Sequence, residues 1–254
     1  MSFLHLVSNE FKKTKGSKII LLLIIAPLLM AVSGVSSLKM YLSENYVGAW
    51  SAMFVQSALG MAYFLIPLSM IVLCVLLSQL ELKNNGILKM LALPVSRAKL
   101  ASAKLVVLIS YLGVQLFIFF LFFIVAGLYT THVTKVSEGI PVLYILKWSA
   151  ILMLSAIPEV TIMWMITTII EKPILSMGLN LLFVIPAVLV GITTLWTAYP
   201  FCYSGVMVSI EMQRIAQGLT ILDFDIYKLL LCAIPILISS VLITLWRFGK
   251  NEMT

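Results

Sequence analysis

Charged side chains are scarce in this chain. Asp, Glu, Lys and Arg together make up 11% of its 254 residues, where a soluble domain carries about a quarter. An ordinary water-soluble globule is thereby excluded, because it needs a polar surface whatever it buries. Histidine is scarcer still: His5 and His132 are the only two, and neither belongs to an HExxH pair, so a zinc-peptidase site has no ligands. Cys74, Cys202 and Cys232 form no CxxC pair, which supports neither a disulfide framework nor a metal site. The apolar runs hold no paired carboxylates, so an intramembrane enzyme also lacks its reacting groups. No GxxxxGK[ST] loop is present. The single Gly-Lys pair, Gly249-Lys250, is followed by Asn251 and lacks the upstream glycine, so the chain has no phosphate cradle of its own.

Apolar side chains are abundant, at 62% of the residues. A hydrocarbon core about 30 Å thick needs about 20 helical residues to cross it. Six runs of that length have few charges: Ile19 to Leu38, Ala58 to Leu80, Leu105 to Tyr129, Leu143 to Ile170, Leu175 to Ala198 and Ile226 to Trp246. The expected fold class is an all-α integral membrane protein with six transmembrane helices. Basic residues near a span are retained on the cytoplasmic side. With the N-terminus inside, the inner segments hold Lys12, Lys13, Lys15, Lys18, Lys83, Lys89, Arg97, Lys99, Lys104, Lys172, Arg247 and Lys250. The outer segments hold Lys39, Lys135, Lys147, Arg214 and Lys228, balanced by Glu44, Glu138, Glu211, Asp223 and Asp225. Both termini are therefore expected in the cytoplasm. The net charge of +7 serves topology and lipid contact, and no nucleic-acid partner is expected.

Ahead of the first span, Phe3, Leu4, Val7 and Phe11 recur at helical spacing opposite Asn9, Glu10, Lys12 and Lys13. Residues 1–17 read as an amphipathic helix on the inner leaflet, with its lysines near anionic lipid. Two other readings are a flexible basic leader and a cleavable signal peptide ending in AVSGVSS.

The densest polar stretch is the inner loop from Glu81 to Lys104, ELKNNGILKMLALPVSRAKLASAK. Asn84-Asn85-Gly86 is a turn signal, Ile87, Leu88, Met90 and Leu91 are apolar among lysines, and Pro94 then breaks the segment. An interfacial helix whose lysines only enforce topology would explain it. The order of features is more particular: Glu81 leaving the second span, Asn85-Gly86, a leucine-rich turn, Pro94-Val-Ser-Arg97, then a lysine opening the third span. This pattern resembles the permeases of the ABC-2 type exporter family. Within that family, the string from Glu81 to Arg97 and the chain length look most like lantibiotic immunity transporter permeases.

The resemblance implies a single transmembrane permease domain over residues 1–254. It implies a cytoplasmic coupling helix within residues 81–104 and outer re-entrant helices within residues 199–225. It also implies a separate cytoplasmic ABC ATPase dimer that binds ATP and Mg, with no cofactor in this chain. A second permease subunit, more often a different chain than a copy, would complete the path for an antimicrobial peptide across a bacterial plasma membrane. At the ATPase interface, Gly86 would permit a turn beside Asn85, Leu88 and Leu91 would fill an apolar groove, and Glu81 and Arg97 would fix orientation.

Two further features stand out. Glu159 follows Pro158 near the middle of the fourth span, and an acid there costs about 2.5–3.5 kcal/mol on insertion scales. It must face protein or water. One reading is a carboxyl that holds helices together; another is a polar contact in the substrate path or at a permease dimer seam. A proton-coupled secondary transporter working alone would also use such a residue. The segment Tyr199 to Asp225 is too polar to span and is either a surface loop or, by the resemblance, an outer gate bearing Glu211 and Arg214. Trp50, Trp148, Trp196 and Trp246 lie near span ends and read as interface anchors.

Overall fold

In hydrocarbon no water is available to the backbone, so each spanning segment must satisfy its own N–H and C=O groups, which the α-helix does. The computed structural model describes residues 3–15, 17, 19–36, 49–83, 97–134, 138–170, 172–217 and 226–250, and among these it contains helices and no strands. Six helical stretches are long and apolar enough to cross a membrane: Ile19–Ser36, Trp50–Leu80, Ala98–His132, Val142–Ile169, Pro173–Gly191 and Ile226–Arg247. A short helix, α1 (Phe3–Thr14), precedes them. The spans are α2 (Ile19–Ser36), α3 (Ala49–Gly60) continued through a π turn (Met61–Leu65) into α4 (Ile66–Lys83), α5 (Arg97–Thr134), α6 (Val142–Ile169), α7 (Pro173–Val184) with α8 (Ala187–Gly191), and α10 (Ile226–Lys250). Between the fifth and sixth spans lie two 3-10 turns, Thr194–Ala198 and Pro200–Cys202, and the helix α9 (Tyr203–Ala216).

Several elements differ from the sequence-based expectation. The third span begins at Arg97 and ends at Thr134, well beyond the apolar run at both ends, because helix propagation does not stop where hydropathy falls. The fifth span is shorter than its apolar run. Pro186 has no N–H for the carbonyl four residues back, and regular helix gives way after Val184, resumes at Ala187 and stops at Gly191. Residues 194–198, placed in that span from hydropathy, form a 3-10 turn instead.

The core sits where the second, third and fourth spans meet. Phe54 is fully buried, with ring centroids 4.9 Å from Trp148, 5.3 Å from Tyr144 and 5.9 Å from Phe123. Trp50 and Trp148 are each 4% exposed. They are therefore core residues and not the interface anchors their positions suggested, whereas Trp246, 63% exposed, keeps that reading. The inward pair is explained by the aromatic cluster, in which edge-to-face and tilted rings gain contact energy that lipid tails cannot match. Polar ties reinforce it: Ser69 Oγ lies 2.8 Å from Gln115 Oε1 between the second and third spans. Ser240 Oγ lies 2.9 Å from Thr161 Oγ1 between the sixth and fourth, and Asn180 Nδ2 donates to Thr167 Oγ1 at 3.3 Å between the fifth and fourth.

Close backbone approach needs small residues. At Gly127 a Cβ would overlap the Trp50 ring, while at Gly178 it would meet nothing within 4 Å. Gly127→Ala should therefore destabilise the detergent-solubilised chain by about 1–3 kcal/mol, seen as earlier aggregation in heated gel filtration. Gly178→Ala should leave the profile unchanged.

Candidate functional site

The inner site expected from sequence lies mostly outside the described residues: Asn85, Gly86, Leu88 and Leu91 fall there. Glu81 belongs to the last turn of α4 and Arg97 is the first residue of α5, so these two helices bracket the segment 84–96. The described part of this site is its base, and its centre is Lys104. This lysine is fully buried, a costly placement that requires partners. Its Nζ donates to the Leu77 carbonyl at 3.1 Å, lies 3.9 Å from Glu10 Oε2 and sits 5.9 Å from the Trp164 ring centroid. One ammonium thus joins α1, the second, third and fourth spans. Glu10 is shared, since it also pairs with Lys13 one turn on.

A second tie lies two turns along α5. Tyr111 Oη is 2.5 Å from Thr14 Oγ1, and its ring meets Phe11 edge-on at 5.5 Å. The positions 10 and 14 on α1, and 104 and 111 on α5, each share a helix face. The face of α1 that packs is therefore Leu6, Glu10 and Thr14, all buried, while Phe3 and Leu4 are 40% and 77% exposed. This corrects the amphipathic reading, which put Glu10 on the water-facing side. The correction has a physical cause: a buried cation on the third span supplies what water would have supplied.

At mid-span, Pro158 and Glu159 are both buried in α6, which continues unbroken to Ile169. Neither Glu159 oxygen has a hydrogen-bond partner among the described residues. The carboxyl does not tie helices together by hydrogen bonding there. Burial, with Glu159 adding to it, pushes the Cys202 thiol up to about 12. Cys202 is thus a protonated thiol, and it donates to the Tyr199 carbonyl at 3.0 Å.

At the outer end as expected from charge, Glu211 and Arg214 occupy one face of α9. Arg214 Nε donates to Glu211 Oε2 at 2.7 Å and its Nη2 to Oε1 at 2.6 Å, a two-pronged pair. These bonds hold the Arg214 guanidinium above its ordinary range, so it remains charged. Tyr144, at the start of α6, donates to Glu211 Oε1 at 3.1 Å and fastens α9 to the fourth span. Sequence reasoning missed Tyr144, and it also missed Thr14, Tyr111, Leu77 and Trp164. An i,i+3 ion pair is legible locally, but partners supplied by another helix leave no local signal.

Two outcomes follow from these geometries. Lys104→Met should speed hydrogen exchange of the α1 amides about ten-fold by releasing Glu10, whereas Lys99→Met, at an exposed position of the same helix, should leave it unchanged. Tyr144→Phe should loosen α9 by about 1 kcal/mol, read from exchange across Tyr203–Ala216.

Residues 6–187 match the sequence model of the family described as ABC-2 family transporter protein. That stretch runs from within α1 into the fifth span and includes Lys104, Glu159 and the segment 84–96; Glu211 and Arg214 lie beyond it. No curated protein and no solved structure matches the chain. The match covers well over half of the residues, and with six spanning helices the chain belongs to the ABC-2 family of transporter proteins, as a membrane component and not the ATPase.

Proposed function

We propose that this chain is the permease subunit of an ATP-binding cassette exporter that removes a lantibiotic or similar antimicrobial peptide from a bacterial plasma membrane. Family membership supports the permease and its ATPase partner. The observation that supports the rest of the reading is the string from Glu81 to Arg97, with its Asn-Gly turn signal, leucine-rich sequence and Pro-Val-Ser-Arg exit. In this reading the segment seats in a groove of the ATPase. Leu88 and Leu91 fill the groove, Asn85 and Gly86 make the turn, and Glu81 and Arg97 form rim pairs.

The mechanism needs no phosphate chemistry in this chain. ATP and Mg bind to the partner dimer, whose closure pulls on the coupling segments of two permease subunits, the second of them a different chain. Displacement at the segment reaches the spans that bracket it, α4 and α5. The basic residues near one end of each span support a cytoplasmic location for both termini. Glu211 and Arg214 then belong to an exit gate at the outer face, and Glu159 lines the route or the seam between permeases. A secondary transporter working alone is not favoured, because family membership implies an ATPase partner.

Co-expression with an ABC ATPase and a second permease tests the reading. Affinity purification through this chain should recover the ATPase, and deletion of Glu81–Arg97 should abolish recovery. Undiminished assembly after the deletion would overturn the coupling assignment. For the cargo, the assembled set should raise the inhibitory concentration of lantibiotics at least several-fold, and a hydrolysis-deficient ATPase should cancel the rise.

A further inference from the structure

The π turn in the second span sits where that span changes neighbours. Its outer part, α3, packs against α9 and the first span, and its inner part, α4, against the fourth and fifth. In the turn the Ile66 N–H reaches back to the Met61 carbonyl, five residues before it. The next residue is Pro67, which has no N–H to offer to Ala62 in the same register. The carbonyl so orphaned is not left bare. Ser204 Oγ, at the start of α9, donates to the Ala62 oxygen at 3.1 Å in a fully buried position. An irregularity of the second span is thus completed by a residue of the segment between the fifth and sixth spans.

Tyr63, the central residue of this turn, is 7% exposed and lies against two glycines, one ending the fifth span and one opening α9. A Cβ on Gly205 would overlap its ring, and one on Gly191 would come within 2.8 Å of its Oη. The phenol also lies 3.4 Å from Ser209 Oγ. Gly191 ends α8 and Gly205 lies in the first turn of α9, so a single side chain engages both the end of the fifth span and the start of α9. Single-turn π segments recur at functional positions because they re-aim side chains without breaking the helix.

We propose that Tyr63 is the positioning residue that joins the end of α8 and the start of α9 to the second span, so that movement of the segment 84–96 is delivered through that span to the outer gate. The second part rests on the coupling role given above to that segment. Span two is suited to it, since α4 runs directly from the π turn to Lys83, the last described residue before the segment. The ring and the Ser204 hydrogen bond make the two bodies move together, while the Glu211 tie to Tyr144 anchors the far end of α9 to the fourth span.

The test has two arms. In the purified chain alone, Tyr63→Ala should speed amide exchange across Tyr203–Ala216 about ten-fold or more, with Tyr63→Phe near wild type because the ring is kept. In the complex with its ATPase, Tyr63→Ala should leave assembly and basal ATP hydrolysis intact but lower peptide exported per ATP about ten-fold or more. Gly205→Ala, which overfills the same contact, should show the same uncoupling, and combining it with Tyr63→Leu should restore export. That rescue separates the joint from a general loss of folding, and it stands in if Tyr63→Ala proves unstable. Wild-type exchange in α9 of Tyr63→Ala, or a wild-type ratio of export to hydrolysis in both single variants, would overturn the proposal. If the wild-type chain binds no ATPase, the coupling reading fails by itself and the exchange arm still decides whether the joint exists.

Discussion

Lipid tails are as apolar as leucine, so burying one helix against another gains little from the hydrophobic effect, and a polar group inside the bilayer has only protein to turn to. The whole arrangement of this chain answers that constraint. At several points a backbone or side-chain group is completed by a residue from a different helix, although the buried Glu159 carboxyl is not. Lys104 finds Leu77 and Glu10; the Ala62 carbonyl, deprived by Pro67, finds Ser204; Ser69 finds Gln115. Each pairing is therefore also a topological statement. It fixes which spans are neighbours and at what depth, where packing of Leu against Leu would permit sliding.

The same constraint explains why α1 is docked and not merely adsorbed. A helix held only by lipid would turn its apolar face down and its Glu and Lys residues out. Here Glu10 turns inward because an ammonium buried on the third span needs a counter-charge more than the carboxylate needs water. Thr14 and Tyr111 then set the register. Phe3 and Leu4 stay exposed, so α1 meets protein along one stripe and leaves an apolar stripe uncovered.

The number of spans was legible because hydropathy over about 20 residues reports the bilayer directly. The break in the fifth span was legible only in part: Pro186 is a visible breaker, but the apolar residues after it read as continuing helix. Glu211 and Arg214 could be placed in one segment from their spacing, and they form one ion pair. Tyr144 could not, since it lies 67 residues away from Glu211. The inward turn of Trp50 and Trp148 was invisible for a related reason. A tryptophan near a span end fits the interface and the core equally well until the rings around Phe54 are known. The π turn left a single trace, Pro67 inside an apolar run, which announces an orphan carbonyl without naming its donor.

The fourth span touches all three polar centres, which sets its mechanical role apart from that of its neighbours. At one end Tyr144 holds α9 through Glu211; at the other Trp164 faces the Lys104 ammonium; between them Glu159 lies buried. Both helices that bracket the segment 84–96 bear on this span, α5 through Lys104 and α4 by direct packing. On the coupling proposed above, a displacement at that segment would have two ways to α9: through the π turn, or through the fourth span and Tyr144. The two converge on α9, one at Gly205 and the other at Glu211. Because these points are six residues apart on one helix, about 9 Å at 1.5 Å per residue, unequal movement of the two spans would tilt α9 and not simply translate it. Tilting a short helix by opposed pushes at its ends requires less travel from each span than lifting it whole, and the placement of one contact on each span is what makes that possible.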